Sequence, residues 1–191
     1  MKKCRICKTP FEPARPMQTA CGFECAIAHA NRISEKKARE KELEDRRDIK
    51  RRKEALKRPK TLKAEAQAAF NAYRRTSDLM AGYRCICCDQ PFEPQKPGGA
   101  VDAGHYLSVG SAPHLRFNEI NVNAQRKNCN RPGGTTREKF RAGMIRRYGL
   151  EAVQALEADR SEPRYRDDDY RRIRDEYKQK LRDLQQGRKA A

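Results

Sequence analysis

The sequence predicts an α+β protein in which a small, metal-pinned core is flanked by charged helices, and three observations predict it. Of 191 residues, 37% are hydrophobic and 37% are charged, so a compact core must be small and confined to part of the chain. The eight cysteines fall into two groups, Cys4 to Cys25 and Cys85 to Cys129, each with a Cys-x2-Cys pair, which is metal-ligand spacing. Around these groups, apolar residues recur at helical spacing.

Lys and Arg number 44 against 26 Asp and Glu, a formal net charge of +18. Such a surface attracts polyanions, and counterion release makes nucleic acid the expected one. A membrane is not an expected partner. No stretch approaches the roughly 20 apolar residues of a spanning helix, and no basic helix has a broad apolar face. No apolar stretch follows Met1-Lys2-Lys3 that could serve as a signal peptide, which points to an intracellular protein whose cysteines bind metal rather than form disulfides.

Four segments follow in order. In residues 1–28, Cys4-x2-Cys7 and Cys21-x3-Cys25 supply two thiolate pairs for a tetrahedral zinc ion. Four thiolates leave no open position, so this zinc is structural and folds a knuckle too small to fold alone. His29 is either a substitute ligand or a solvent-facing residue. Residues 29–58 form a charged helical arm whose Ile33, Leu43, Ile49 and Leu56 make no sustained heptad, which predicts a solvated helix rather than a coiled coil.

Residues 59–158 hold the core. Pro59 ends the charged run, and Thr61 is expected to cap a helix with Leu62, Ala66, Ala69, Phe70 and Tyr73 on one face. Residues 83–134, rich in Gly, Pro and Asn, read as short strands and loops. Thr135-Thr136-Arg137-Glu138 is a capping-box pattern opening a helix with Phe140, Met144, Ile145 and Tyr148 at helical spacing, and Gly149 stops it. In the tail, residues 159–191, Asp167 to Asp169 precede Arg171, Arg172 and Arg174 in the order that suits a helix dipole. The stripe Tyr170, Ile173, Tyr177, Leu181 and Leu184 either docks on the core or pairs with a second copy as a homodimer.

The chemistry-bearing residues lie in the core. Cys85-x2-Cys88 is followed by Asp102-Ala103-Gly104-His105-Tyr106, then Asn118-Glu119-Ile120-Asn121, then Cys129-Asn130. In that order they resemble the motif of HNH, or ββα-metal, endonucleases: a histidine on a strand, an asparagine in the connecting loop, and a last His or Asn opening the helix. Phosphodiester hydrolysis needs a base to deprotonate water and a hard cation to neutralise the charge that develops. His105 is the candidate base and Asn121 the residue expected to orient its ring. Asn130 is a candidate ligand for catalytic Mg2+ or Mn2+. The motif's usual carboxylate directly precedes the histidine; here that place is Gly104, and the nearest upstream acid, Asp102, is the candidate second ligand.

Over nearly its whole length the chain is also similar to the NinG/Rap family of lambdoid-phage recombination endonucleases. The resemblance runs through the cysteine-rich start, the charged helix, Asp102 to Tyr106, Ala112-Pro113-His114-Leu115-Arg116-Phe117-Asn118-Glu119 and Tyr148-Gly149-Leu150-Glu151-Ala152-Val153. It implies a structure-specific nuclease acting on D-loops and Holliday junctions, with branched DNA and other phage recombination proteins as partners, in the host cytoplasm or nucleoid.

The family has a second Cys-x2-Cys before its final asparagine, and here the first member of that pair is Arg126. A second zinc would keep Cys85, Cys88 and Cys129, completed by Cys87, His114 or water, or the site is empty. Arg116, Lys127 and Arg126, with Ser108 and Ser111, are candidates for phosphate contact, Arg116 foremost because a guanidinium clamps phosphate bidentately. Two other readings stand beside the nuclease: a non-catalytic, zinc-dependent DNA-binding recombination accessory protein, and an RNA-binding processing factor.

Overall fold

The structure, a computed structural model, describes residues 1–93, 95, 101–162 and 165–190. Among these, the protein is mixed α+β, with five α-helices and two two-stranded antiparallel sheets. The chain divides into two compact units, Met1–Lys57 and Arg58–Ala191.

In the first unit, β1 (Lys2–Lys3) pairs with β2 (Pro10–Phe11) around the first cysteine turn, and α1 (Phe23–Ala55) follows. Cys25 lies in the first turn of α1, so the second cysteine pair is partly helical and the charged arm begins inside the cysteine segment. The 33 residues of α1 bury no side chain, and Ile33, Leu43 and Ile49 are exposed, as expected of a solvated helix. Exposed pairs such as Arg46–Glu42 and Lys36–Glu40 add only tenths of a kcal/mol each.

The second unit opens with α2 (Pro59–Met80), which starts earlier than the Thr61 cap predicts. Pro59 stands at the first helical position, where its missing N–H is no loss and its fixed φ suits the helix, so it begins α2 rather than merely ending what precedes it. The expected face is the buried one: Leu62, Ala66, Ala69 and Phe70 are buried and Tyr73 is partly covered.

After the second cysteine turn come β3 (Val101–His105), a short 3-10 turn at Pro113–Leu115, β4 (Val122–Arg126), α3 (Arg137–Tyr148), α4 (Leu150–Ala158) and α5 (Asp167–Ala190). β3 and β4 pair antiparallel, with Asp102 opposite Gln125, Gly104 opposite Asn123 and His105 opposite Val122. Alternation along the strands sorts their side chains. Ala103 and Val122 join Ala66, Ala69, Phe70, Ile173 and Tyr177 in a core shared with α2 and α5. On the opposite face, Asn123 reaches Met144 of α3.

A second core gathers Ile86, Tyr106, Leu115, Phe140, Met144, Val153 and Leu156. Its helix α3 starts one residue later than the capping-box pattern suggests: Thr136, not Thr135, is the cap, and its hydroxyl accepts from the Lys139 N–H at 3.3 Å. Gly149, at φ 85°, ends α3 and starts α4, a helix the sequence reading did not separate. The tail stripe is used within the chain. Tyr177 meets Phe70 edge-on at 4.7 Å between centroids, Ile173 is buried, and Arg174 pairs with Glu65 of α2 at 2.9 Å.

A buried polar network ties the elements together. Asp78 on α2 accepts from Arg74 at 2.8 Å, from the Ala124 N–H of β4 at 2.7 Å and from Arg147 of α3 at 2.9 Å. Arg74 also donates to the Val122 carbonyl at 2.9 Å, and Arg147 to Asn123 at 3.1 Å. The charges are therefore matched and bonded, which is what makes their burial tolerable.

Candidate metal centres and groove

The two Cys-x2-Cys pairs sit in the same kind of turn. In Cys4-x2-Cys7 the Cys4 N–H donates to the Thr9 carbonyl and the Lys8 N–H to the Cys4 carbonyl; in Cys85-x2-Cys88 the Cys85 N–H donates to Gln90 and the Asp89 N–H to Cys85. Lys8 and Asp89, each just after its second cysteine, are the non-glycine residues with positive φ among the described residues, at 64° and 55°. The sequence carries the repeat openly as Cys4-Arg-Ile-Cys7-Lys-Thr-Pro-Phe-Glu-Pro13 and Cys85-Ile-Cys-Cys88-Asp-Gln-Pro-Phe-Glu-Pro94. Sequence reading missed it, although the shared Pro-Phe-Glu-Pro would have revealed it.

The sulfurs of Cys4, Cys7, Cys21 and Cys25 all lie within 4.8 Å of one another, with Cys7 Sγ at 3.5 Å from Cys21 Sγ and Cys21 Sγ at 3.7 Å from Cys25 Sγ. Tetrahedral zinc with Zn–S of about 2.3 Å puts its sulfurs about 3.8 Å apart, so the four fit such an ion. Burial pushes the Cys4 thiol up, but N–H donation from Ile6, Cys21 and Cys7 outweighs it and leaves Cys4 at about 6, ready to bind as thiolate. His29 is not part of the group.

In the second cluster, Cys85, Cys88 and Cys129 have their sulfurs within 4.8 Å of one another. Neither side chain proposed to complete it joins. Cys87 is buried with its sulfur hydrogen-bonded to that of Cys85 and accepting from Gln125 Nε2 at 3.0 Å, but it does not lie within 4.8 Å of all three sulfurs, while the His114 ring bonds the Asp159 carbonyl at 3.2 Å. Arg126 occupies the first position of a third such turn, its carbonyl accepting from the Cys129 and Asn130 N–H groups, and its guanidinium pairs with Glu93 at 3.2 Å.

Beside this cluster an open groove of about 360 Å³ is lined by His105, Ser108, Ser111, Asn130, Arg131 and Arg137, among others. His105, the last residue of β3, bonds the Arg116 carbonyl through Nε2 at 3.1 Å. A carbonyl only accepts, so Nε2 carries the proton and Nδ1 keeps its lone pair. Burial lowers the His105 pKa below its ordinary 6.5, the Arg116 charge adds to this, and the carbonyl bond opposes it. The ring is therefore neutral at neutral pH.

Asn121, fully buried, is not the group that holds the ring. Its Oδ1 accepts from the Leu107 N–H at 2.8 Å and its Nδ2 donates to the Leu107 and Leu115 carbonyls at 3.0 and 3.1 Å. It staples the two ends of the loop, and so fixes the segment whose Arg116 carbonyl holds His105. Asn118 forms a turn, its Oδ1 accepting from the Ile120 and Asn121 N–H groups.

Asp102 and Asn130 are brought together: Asn130 Nδ2 donates to Asp102 Oδ2 at 3.3 Å. Asp102 and Gly104 are two apart on a strand, so both lie on the face toward Asn130. Gly104 itself has no room for a side chain, since a Cβ there would stand 1.9 Å from Gln125 Oε1 and 3.2 Å from Asn130 Oδ1. Gln125, buried and donating to the Cys129 carbonyl at 3.1 Å, is a residue that sequence reading passed over. Nothing in its own position marked it.

Of the candidate phosphate contacts, Arg116 is half-buried and donates to Gln67 at 2.9 Å beside His105, Lys127 is exposed, and Arg126 is turned to Glu93. Arg131 and Arg137 line the groove without having been singled out from the sequence. Among the described residues, no helix is long and apolar enough to cross a membrane.

The family model and the curated relatives agree over nearly the whole chain. The family model described as Bacteriophage Lambda NinG protein matches residues 1–187. Protein ninG of Escherichia phage 933W is 34% identical over 205 residues, covering 100% of this chain and 96% of the relative. Those of Escherichia phage lambda and Salmonella phage P22 are 34% and 33% identical over 196 residues, each covering 97% of this chain and 93% of the relative. No solved structure matches. The chain belongs to the NinG family of phage proteins.

Proposed function

We propose that the protein is a divalent-metal-dependent endonuclease of the HNH, or ββα-metal, kind that hydrolyses phosphodiesters in branched recombination intermediates such as D-loops and Holliday junctions. The observation that carries this reading is the groove: a neutral His105 with a free Nδ1 lone pair and the Asn130 amide line one opening, and Asn130 meets Asp102 at 3.3 Å. The antiparallel pair β3–β4 followed by α3 supports this reading, although Asn130 lies in the turn after β4 and not, as the motif has it, at the start of the helix, which begins at Arg137.

In this mechanism His105 Nδ1 takes the proton from the attacking water, while Nε2 stays donated to the Arg116 carbonyl and holds the ring in place. Asn130 and Asp102 offer oxygen donors suited to Mg2+ or Mn2+. When bound, such an ion would neutralise charge on the phosphate and the leaving oxygen. Arg137 and Arg131 of the groove, with Arg116 nearby, position the phosphate backbone. The net charge of +18 supplies affinity through phosphates with little base readout, which suits recognition by DNA shape.

The competing reading, a non-catalytic DNA-binding accessory protein, draws on Arg126 standing where a fourth metal ligand would be. A labelled four-way junction and a linear duplex of equal length, incubated with Mg2+, Mn2+ or EDTA, separate the two. Metal-dependent cutting of the junction that His105→Ala abolishes while mobility-shift binding persists supports the nuclease. Tight binding without cutting under any cation supports the accessory protein.

A further inference from the structure

We propose that the second cysteine cluster holds zinc on three thiolates with its fourth position open to water, so that this ion exchanges much faster than the one in the N-terminal knuckle. Three observations meet here. The sulfurs of Cys85, Cys88 and Cys129 lie within 4.8 Å of one another, as thiolates around one zinc must. No other Cys, His, Asp or Glu among the described residues joins them, and residues 94–100 contain none of these four types. Cys88 is exposed, so the cluster opens to solvent on that side.

The fourth position is missing because of one residue. Arg126 is three before Cys129, repeating the Cys-x2-Cys spacing, and its carbonyl accepts the Asn130 N–H at 3.1 Å just as the Cys4 carbonyl accepts the Lys8 N–H and the Cys85 carbonyl the Asp89 N–H. Its own N–H donates to Cys85 Sγ at 3.2 Å, so its backbone already sits against the cluster. A guanidinium has donors and no lone pair to give a metal, and this one pairs with Glu93. The backbone is that of a ligand turn; the side chain is not a ligand.

The consequence reaches the groove. Cys129 immediately precedes Asn130, and Gln125 bonds both the Cys129 carbonyl and the Cys87 sulfur while filling the space over Gly104. An ion on Cys129 therefore steadies the turn that presents Asn130 to Asp102. This inference does not depend on cleavage and its test involves no DNA.

The test uses the full chain loaded with zinc, with the ion counted by elemental analysis and its release followed with a chromophoric chelator. Loss of an outer hydrogen-bond partner costs roughly 10–100-fold in metal affinity, and a missing direct ligand should cost no less. The wild type should therefore carry two ions, one leaving at least about tenfold faster than the other. Cys129→Ser should lose the fast ion, Cys4→Ser should leave the knuckle with three thiolates and turn its slow ion into a fast one, while Arg126→Cys should keep two and slow the fast one toward the knuckle's rate. A wild type that binds one ion, or one whose two ions leave at equally slow rates that Arg126→Cys does not change, would overturn the proposal.

Discussion

His105 carries the sharpest expectations at the scale of single residues. Replacing it with Ala should lower the cleavage rate by about 10²–10⁴, the contribution of a positioned base, and leave junction affinity unchanged in a mobility-shift assay. Burial lowers its pKa, so under the proposed mechanism His105 is lost as a base to protonation only below its ordinary 6.5. The cleavage rate should therefore be flat through neutral pH and fall on the acid side with its midpoint below 6.5; a midpoint above that value would remove His105 from the role. Gly104 gives a second test. Gly104→Ala forces the buried Gln125 amide aside and should cost about 1–3 kcal/mol in denaturant unfolding, and much of that cost should disappear in Gly104→Ala combined with Gln125→Ala if the clash with that side chain is the cause.

Helices and strands show where periodicity suffices and where it does not. The buried faces of α2 and α3 are those their spacing predicts, because one apolar stripe per helix has one place to go. Their starts were misjudged, by three residues in α2 and one in α3: Arg58 rather than Thr61 is the cap of α2 and Thr136 rather than Thr135 that of α3, and only backbone geometry decides between such neighbours. Asp78 lay within a helix of no evident interest, yet it is the acceptor that binds Arg74, Arg147 and the Ala124 N–H. Asp78→Ala leaves two buried guanidinium groups short of an anion and should destabilise the second unit by about 3–5 kcal/mol. Thermal or denaturant unfolding would read this, and a change within half a kcal/mol would show that the network is not the tie between α2, β4 and α3.

For the molecule as a whole, charge and metal set the expectations. With a net charge of +18, junction binding should weaken steeply with salt, log affinity falling in proportion to log salt with a slope of about −0.9 for each phosphate neutralised; a nearly salt-independent affinity would rule out backbone contact as its source. The sequence by itself determined the α+β class, the strong net positive charge, the cysteine pairs and the family, because composition and short spacings are local properties that survive without a fold. Only the tertiary structure decided which partners those residues meet. It placed the His105 ring on the Arg116 carbonyl rather than on Asn121, brought Asp102 to Asn130 across 28 residues, docked the tail stripe on Phe70 and excluded Cys87 and His114 from the second cluster. Each of these joins positions distant in the chain, and such contacts are set by the register of β3 on β4 and the packing of helices around it, which no local pattern encodes.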